Sequence, residues 1–112
     1  MTIDDIETLA PAMGDDADII VREVDEGRAT LLRYDDGSRI VARLEEYPEQ
    51  APELVIVAGA GAGATEKMAA LVAMADERCW TVRFHTKRPA LGRMLAGLGF
   101  TESERVYRYG RG

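Results

Sequence analysis

The chain has 112 residues, of which 46% are hydrophobic and 30% are charged; this balance is that of one folded domain and excludes wholesale disorder. Its single cysteine and single histidine exclude an internal disulfide, a cysteine-rich zinc site and a histidine metal triad. The net charge of −6 divides into −9 over residues 1–50 and +3 over residues 51–112. The acidic first half argues against a protein that clamps nucleic acid, and the basic second half permits an anionic ligand or an acidic partner on its side.

Membrane insertion and targeting are not expected from this sequence. No apolar run approaches the ~18–20 residues that a membrane helix needs. The N-terminus is acidic from Asp4 onwards, which predicts that no secretory or transit peptide is present. We therefore expect one domain, residues 1–112, with neither a membrane nor a nucleic acid as partner.

The N-terminal segment predicts a short helix over residues 2–13. Thr2 is suited to cap its start and Gly14 to end it, while Asp4 and Asp5 suit the positive end of the helix dipole. Apolar residues recur at helical spacing along it. These positions are Ile3, Ile6, Leu9, Ala10 and Met13.

An antiparallel meander is expected to follow this helix. Residues 17–25 are rich in β-branched side chains, which favour a strand. Residues 28–34 and 39–45 predict two further strands. The Asp36-Gly37 pair between them favours a tight hairpin turn, because glycine tolerates positive φ.

The second half alternates strands and helices. Residues 53–58 form a continuous apolar run, which is typical of a strand covered on both faces. A glycine-rich loop follows and leads into a helix over 64–77. We then expect a strand over 79–85, a helix from Pro89 to Gly99 and a closing strand over 100–109.

The loop after the buried strand is the strongest site candidate. Glycines at 59, 61 and 63 let the backbone turn sharply and approach a ligand closely. The loop opens a helix, whose free amides and dipole attract anions such as phosphate. It is neither a P-loop nor a clean dinucleotide fingerprint. The small residues are explained equally well by tight strand-to-helix packing, so both interpretations remain open.

A second candidate is the basic stretch around the start of the last predicted helix. Lys87, Arg88 and Arg93 form a cluster that suits a phosphate-bearing ligand. An unperturbed histidine side chain has a pKa of about 6.5, which suits a general base, so His85 is a candidate for that role, although a lone histidine is more often structural. Cys79 lacks an evident base partner and is expected to be a small buried hydrophobe.

The segments LVIVAGAGAGATEKMAAL at 54–71 and RPALGRMLAGLGF at 88–100, together with the order of elements, resemble the Gcn5-related N-acetyltransferase (GNAT) family. The resemblance implies an α+β fold with a GNAT-like mixed sheet, in which an N-terminal antiparallel meander precedes β-α-β-α-β and helices cover both faces. In that family two central parallel strands splay apart, and acetyl-CoA lies in the gap with its pyrophosphate on the loop amides. The cofactor-binding residues expected here are Val57, Gly59, Gly61, Gly63, Ala64, Lys87, Arg88 and Arg93.

Several departures from the family pattern bear on the reaction. Ala58 stands where the family loop has arginine or glutamine, and Leu95 stands where it often has a tyrosine that acts as general acid. Glu53 is the one acidic residue beside the buried strand. The N-terminal helical pair is expected to be reduced to residues 2–13. No catalytic residue and no metal ligand is assigned.

Residues 82–108 also resemble small GNAT-like proteins of tailed bacteriophages. The resemblance and the departures together imply a catalytically degenerate scaffold, as a virion component or assembly factor, in the host cytoplasm or the virion. Its partners would be proteins, either copies of itself or other virion subunits, and no cofactor is expected. The alternative is an acetyl-CoA-dependent N-acetyltransferase with an unknown acceptor.

Overall fold

A computed structural model describes residues 1–85, 101–103 and 106–109. The described residues form three α-helices and six strands, which makes the fold α+β, as expected. A 3-10 turn, Gly14–Asp16, joins the first two helices. The bounds are α1 Ile3–Met13, α2 Ala17–Asp25, β1 Thr30–Arg33, β2 Arg39–Tyr47, β3 Gln50–Ala60, α3 Ala64–Glu77, β4 Thr81–His85, β5 Thr101–Ser103 and β6 Val106–Tyr109.

The strands form one mixed sheet in the order β1-β2-β3-β4-β6-β5. β3 and β4 are parallel neighbours, as the sequence predicts for 53–58 and 79–85, and every other pair is antiparallel. The closing strand expected over 100–109 is two strands, β5 and β6, paired with each other. The helix expected from Pro89 to Gly99 lies outside the described residues.

The strand prediction for residues 17–25 is wrong, because this segment is the helix α2. Ala17, Ile20 and Val24 follow one another at helical spacing and pack against one side of the core. That packing outweighs the strand preference of the β-branched side chains, which depends strongly on context. The N-terminal region therefore contains two helices, so the expectation that the helical pair is reduced to residues 2–13 is also wrong.

Helices cover both faces of the sheet. α3 packs on one face through Ala64, Met68 and Ala75, and α1 and α2 pack on the other. The sheet residues on the α3 side of the core are Ile40, Ala42, Leu54, Ile56, Val82 and Phe84. None of the helices in the described part of the chain is long and apolar enough to cross a membrane.

A β-bulge in β3 changes which way its residues face. Val41 pairs with Ala58 and Ala42 pairs with Ile56, so Val57 is the extra residue. Ile56 packs on the α3 side, whereas Ala58 packs with the core of α1 and α2. The parallel pairing of β3 with β4 ends at Ile56 and Phe84, just before this bulge, while β3 continues to Ala60.

A buried carboxylate fastens α1 to the sheet. Thr2 caps the helix as expected, and Asp5 completes a capping box by accepting from the Thr2 amide at 2.8 Å. Asp5 also accepts from Arg33 Nη2 at 2.7 Å and from Arg39 Nε at 2.8 Å. The hydrogen bond from Arg33, followed by those from Arg39 and Thr2, holds the pKa of Asp5 far below its usual range against the opposing effect of burial.

Candidate functional site

The glycine-rich loop connects the end of β3 to the start of α3. Gly61 has a φ of 110°, a backbone conformation that residues other than glycine rarely adopt. Its carbonyl accepts a hydrogen bond from the Ala64 amide at 3.1 Å. Gly63 is the N-cap residue, and no side chain caps the helix. Within the described residues, the first-turn amides of α3 therefore have no side-chain acceptor, as an anion site would require.

The loop lies directly against the β1–β2 turn, residues 35–38. A Cβ atom on Gly61 would come within 2.6 Å of Ser38 Cα, and one on Gly63 would overlap Asp36 Oδ2. Packing inside the chain thus requires glycine at position 61, where the clash is with the backbone, whether or not a ligand binds; at Gly63 the clash is with the end of the Asp36 side chain. A Cβ on Gly59 would meet only the flexible end of the Met68 side chain.

Asp36 places a negative charge beside the N-terminus of α3. Its Oδ1 accepts from both the amide of Ser38, at 2.8 Å, and the hydroxyl of Ser38, which is a fully buried residue. These hydrogen bonds, reinforced by the charge of Lys67, lower the pKa of Asp36, so the carboxylate stays ionised. Its other oxygen lies against Gly63, where the helix dipole favours an anion.

Lys67, one turn into α3, is the cation closest to this carboxylate in the described part of the chain. Its Nζ lies 5.3 Å from the centroid of the Tyr34 ring, a cation–π distance. Tyr34 is half-buried against the α3 side of the core, and burial raises the pKa of its phenol. Lys67 thus lies over an aromatic ring of its own chain, and its charge acts on the Asp36 carboxylate.

Several of the expected cofactor residues come together here. Gly61 and Gly63 lie in the loop between β3 and α3, Gly59 lies near the end of β3, Ala64 begins α3, and Val57 is the bulged residue of β3. Three further expected residues lie outside the described part of the chain, and so does Leu95. These three are Lys87, Arg88 and Arg93.

The two remaining candidate residues are Cys79 and His85. The prediction that Cys79 is a buried hydrophobe is wrong, because it is exposed with φ of 59°, just after the end of α3. That left-handed position turns the chain towards β4 and leaves the side chain outside the core. His85 is the last residue of β4, opposite Val106 of β6.

Glu53, the sole acidic candidate near the buried strand, is tied into an ion-pair network on the α1–α2 face. Its Oε1 lies 3.4 Å from Arg83 Nη1, and Arg83 Nη2 donates to Glu45 at 3.0 Å. Glu45 also accepts from Tyr47 at 2.6 Å and from Arg43 at 3.1 Å. The hydrogen bond that Tyr47 donates to Glu45 lowers the pKa of Glu45 and raises that of Tyr47.

This network makes Glu53 a poor general base. Its side chain is 11% exposed and its charge is balanced by a guanidinium, whereas a base must reach the proton that it removes. The buried Nε of Arg83 has no hydrogen-bond partner among the described residues. No sequence pattern indicates this network, because Arg83 reaches the β2–β3 hairpin only through the pairing of β4 with β3.

Known proteins and metal chemistry supply no further assignment. Comparison of the chain with family models, curated proteins and solved structures found no match. Within residues 1–85 and the two described C-terminal strands, no group of three or more His, Cys, Asp or Glu side chains is arranged to hold a metal ion.

Proposed function

We propose that this protein is a non-catalytic scaffold on a GNAT-like fold that works through contacts with other proteins, as a virion component or assembly factor of a tailed phage. The supporting observation is that a carboxylate of the chain itself already lies beside the loop expected to bind pyrophosphate. Asp36 lies against Gly63, and the backbone of Ser38 lies against Gly61.

The electrostatic balance at the loop disfavours a diphosphate. A helix N-terminus stabilises an anion by about 0.3–1 kcal/mol. The carboxylate of Asp36 lies at the same helix end, where its charge repels a phosphate. Repulsion by Asp36 therefore opposes the attraction of the dipole, and the ammonium of Lys67 lies over the Tyr34 ring.

The chemistry of acyl transfer is also poorly served. Ala58 is buried in β3 and offers no side chain to a phosphate, where the family loop begins with arginine or glutamine. Glu53 is held by Arg83 rather than open to an amine. These features support a scaffold that keeps the GNAT-like fold and does not catalyse acyl transfer.

Isothermal titration calorimetry with CoA tests this proposal. We expect no binding by the wild type, and detectable binding by Asp36→Asn, whose amide oxygen still accepts from Ser38 while the charge is gone. Asp35→Asn is the matched control, since it removes the neighbouring exposed charge of the same turn. Micromolar binding by the wild type, with no change in Asp36→Asn, would show that the loop is an open cofactor site.

One observation favours the alternative, an acetyl-CoA-dependent N-acetyltransferase. Among the residues that the structure describes, which stop at His85 in this region, β3 continues past its last parallel partner, Phe84, through the bulge at Val57, as expected if the strands part in the way that the resemblance implies. A neutral amine nitrogen would attack the thioester carbonyl carbon, the C–S bond would break, and the departing thiolate of CoA would take up the proton that the nitrogen loses. Acetyl-CoA turnover with amine acceptors that is lost in Gly61→Val would establish this function.

A further inference from the structure

The outer edge of β1 carries unpaired main-chain groups. β1 is the first strand of the sheet, and within the described residues it pairs only with β2. At its end the Tyr34 amide donates to the Ser38 carbonyl at 3.0 Å, so the main chain of Tyr34 faces β2. Residues of an antiparallel ladder alternate in this respect. Leu31 and Arg33 therefore direct their N–H and C=O groups outward.

Apart from the short length of β1, four residues, this edge lacks the features that usually protect a sheet from pairing with another chain. β1 contains no proline, no lysine and no bulge, and its register with β2 is continuous. The Arg33 side chain is drawn back to Asp5 and does not guard the edge. Leu31 and Leu32 are half-buried on opposite faces, so each leaves apolar surface near the edge.

The charges at the two ends of β1 are complementary. Arg28 precedes the strand and is exposed, in a surface ion pair with Glu26, while Asp35 and Asp36 follow the strand and are exposed as well. Antiparallel pairing of two identical strands places the start of one beside the end of the other. The two-fold symmetry of such a pair makes this contact of opposite charges twice.

We propose that β1 pairs with β1 of a second copy of this chain, joining two sheets into one continuous antiparallel sheet. In the register that satisfies the outward groups, Leu31 of one copy lies opposite Arg33 of the other, and Leu32 lies opposite Leu32 on the two-fold axis. This register forms four main-chain hydrogen bonds and brings Arg28 to the acidic turn. It does not depend on the function proposed above, because a CoA-binding protein would carry the same edge.

Sedimentation equilibrium and amide hydrogen exchange test this pairing. We expect a monomer–dimer equilibrium, with the amides of Leu31 and Arg33 protected only as the dimer forms. The amides of Thr30 and Leu32, which face β2, are expected to be protected at all concentrations. Leu31→Pro removes one outward donor at a position where an edge strand tolerates proline, and it should abolish the dimer.

A charge-reversal variant keeps the test independent of any folding defect in Leu31→Pro. Arg28→Glu should weaken the dimer about tenfold, because two exposed ion pairs become repulsive. Arg22→Glu makes the same charge change on the exposed face of α2 and should leave the dimer intact. A protein that stays monomeric at millimolar concentration would overturn the pairing, and so would a dimer in which Leu31 and Arg33 exchange freely.

Discussion

Replacement of Gly61 by alanine tests whether the glycine-rich loop is shaped by packing. The added Cβ would lie 2.6 Å from Ser38 Cα and 2.9 Å from Ser38 Cβ, so either the loop or the β1–β2 turn must move. The positive φ of Gly61 adds strain of its own for a side chain. Gly27→Ala is the matched control, since Gly27 also has positive φ, 78°, with no atom within 4 Å of the new methyl group.

The two effects have separable magnitudes. A left-handed backbone costs a residue with a side chain about 1–2 kcal/mol, and both variants share this loss. Overpacking adds about 1–3 kcal/mol and applies only at Gly61. We therefore expect Gly61→Ala to lose about 2–5 kcal/mol of the free energy of unfolding, against the ~5–15 kcal/mol of a typical domain.

Urea denaturation followed by circular dichroism measures both losses on the same scale. The midpoint of Gly61→Ala should fall well below that of Gly27→Ala, with little change in the slope of the transition. Equal losses in the two variants would refute the close approach of the loop to Ser38 and would return the glycines to a role in ligand binding.

Three further stability measurements check the remaining contacts. Asp5→Asn should lose about 3 kcal/mol of the free energy of unfolding, because two guanidinium groups would lose their buried counter-charge. Folding lowers the pKa of Asp5, so its stabilising contribution is present above the unfolded pKa of about 3.9 and is lost as the pH falls below that value. Acid unfolding of the variant should therefore depend less steeply on pH between about pH 5 and pH 2. Arg83→Met should lose about 2–4 kcal/mol by leaving a buried carboxylate unpaired, and adding Glu53→Gln should restore part of it in a double-mutant cycle. Ile20→Ala should lose about 2–4 kcal/mol because Ile20 is buried in the core, whereas Ile19→Ala, at an exposed position next to it, should lose under about 0.5 kcal/mol; equal losses would place α2 in a different register.

Local patterns predicted the elements that have one strong physical cause. The helix over 64–77 coincides with α3, since its apolar residues recur at helical spacing and glycines precede it. The buried run over 53–58 lies within β3, where Glu53–Ile56 are all buried between helices on both faces. Thr2 and Gly14 bound α1 as expected.

Features that depend on contacts between distant segments were not predictable in this way. The composition of 17–25 favours a strand, and only the core that Ile20 reaches makes it a helix. The extra residue at Val57 is hidden in a uniform apolar run, because a bulge is defined by its partner strand. The Asp36-Gly37 pair predicts only a turn, and the position of Asp36 beside Gly63 follows from the packing of the β1–β2 hairpin on the loop that precedes α3.

The most direct test of the central claim is the response of the loop amides to acetyl-CoA, residue by residue, in two-dimensional NMR of the labelled wild type. Because Asp36 already supplies the negative charge at the start of α3, the amide shifts of Gly61, Gly63 and Thr65 should stay unchanged up to millimolar cofactor. Saturable shifts of these three amides would show that the loop binds the cofactor and would contradict the scaffold function.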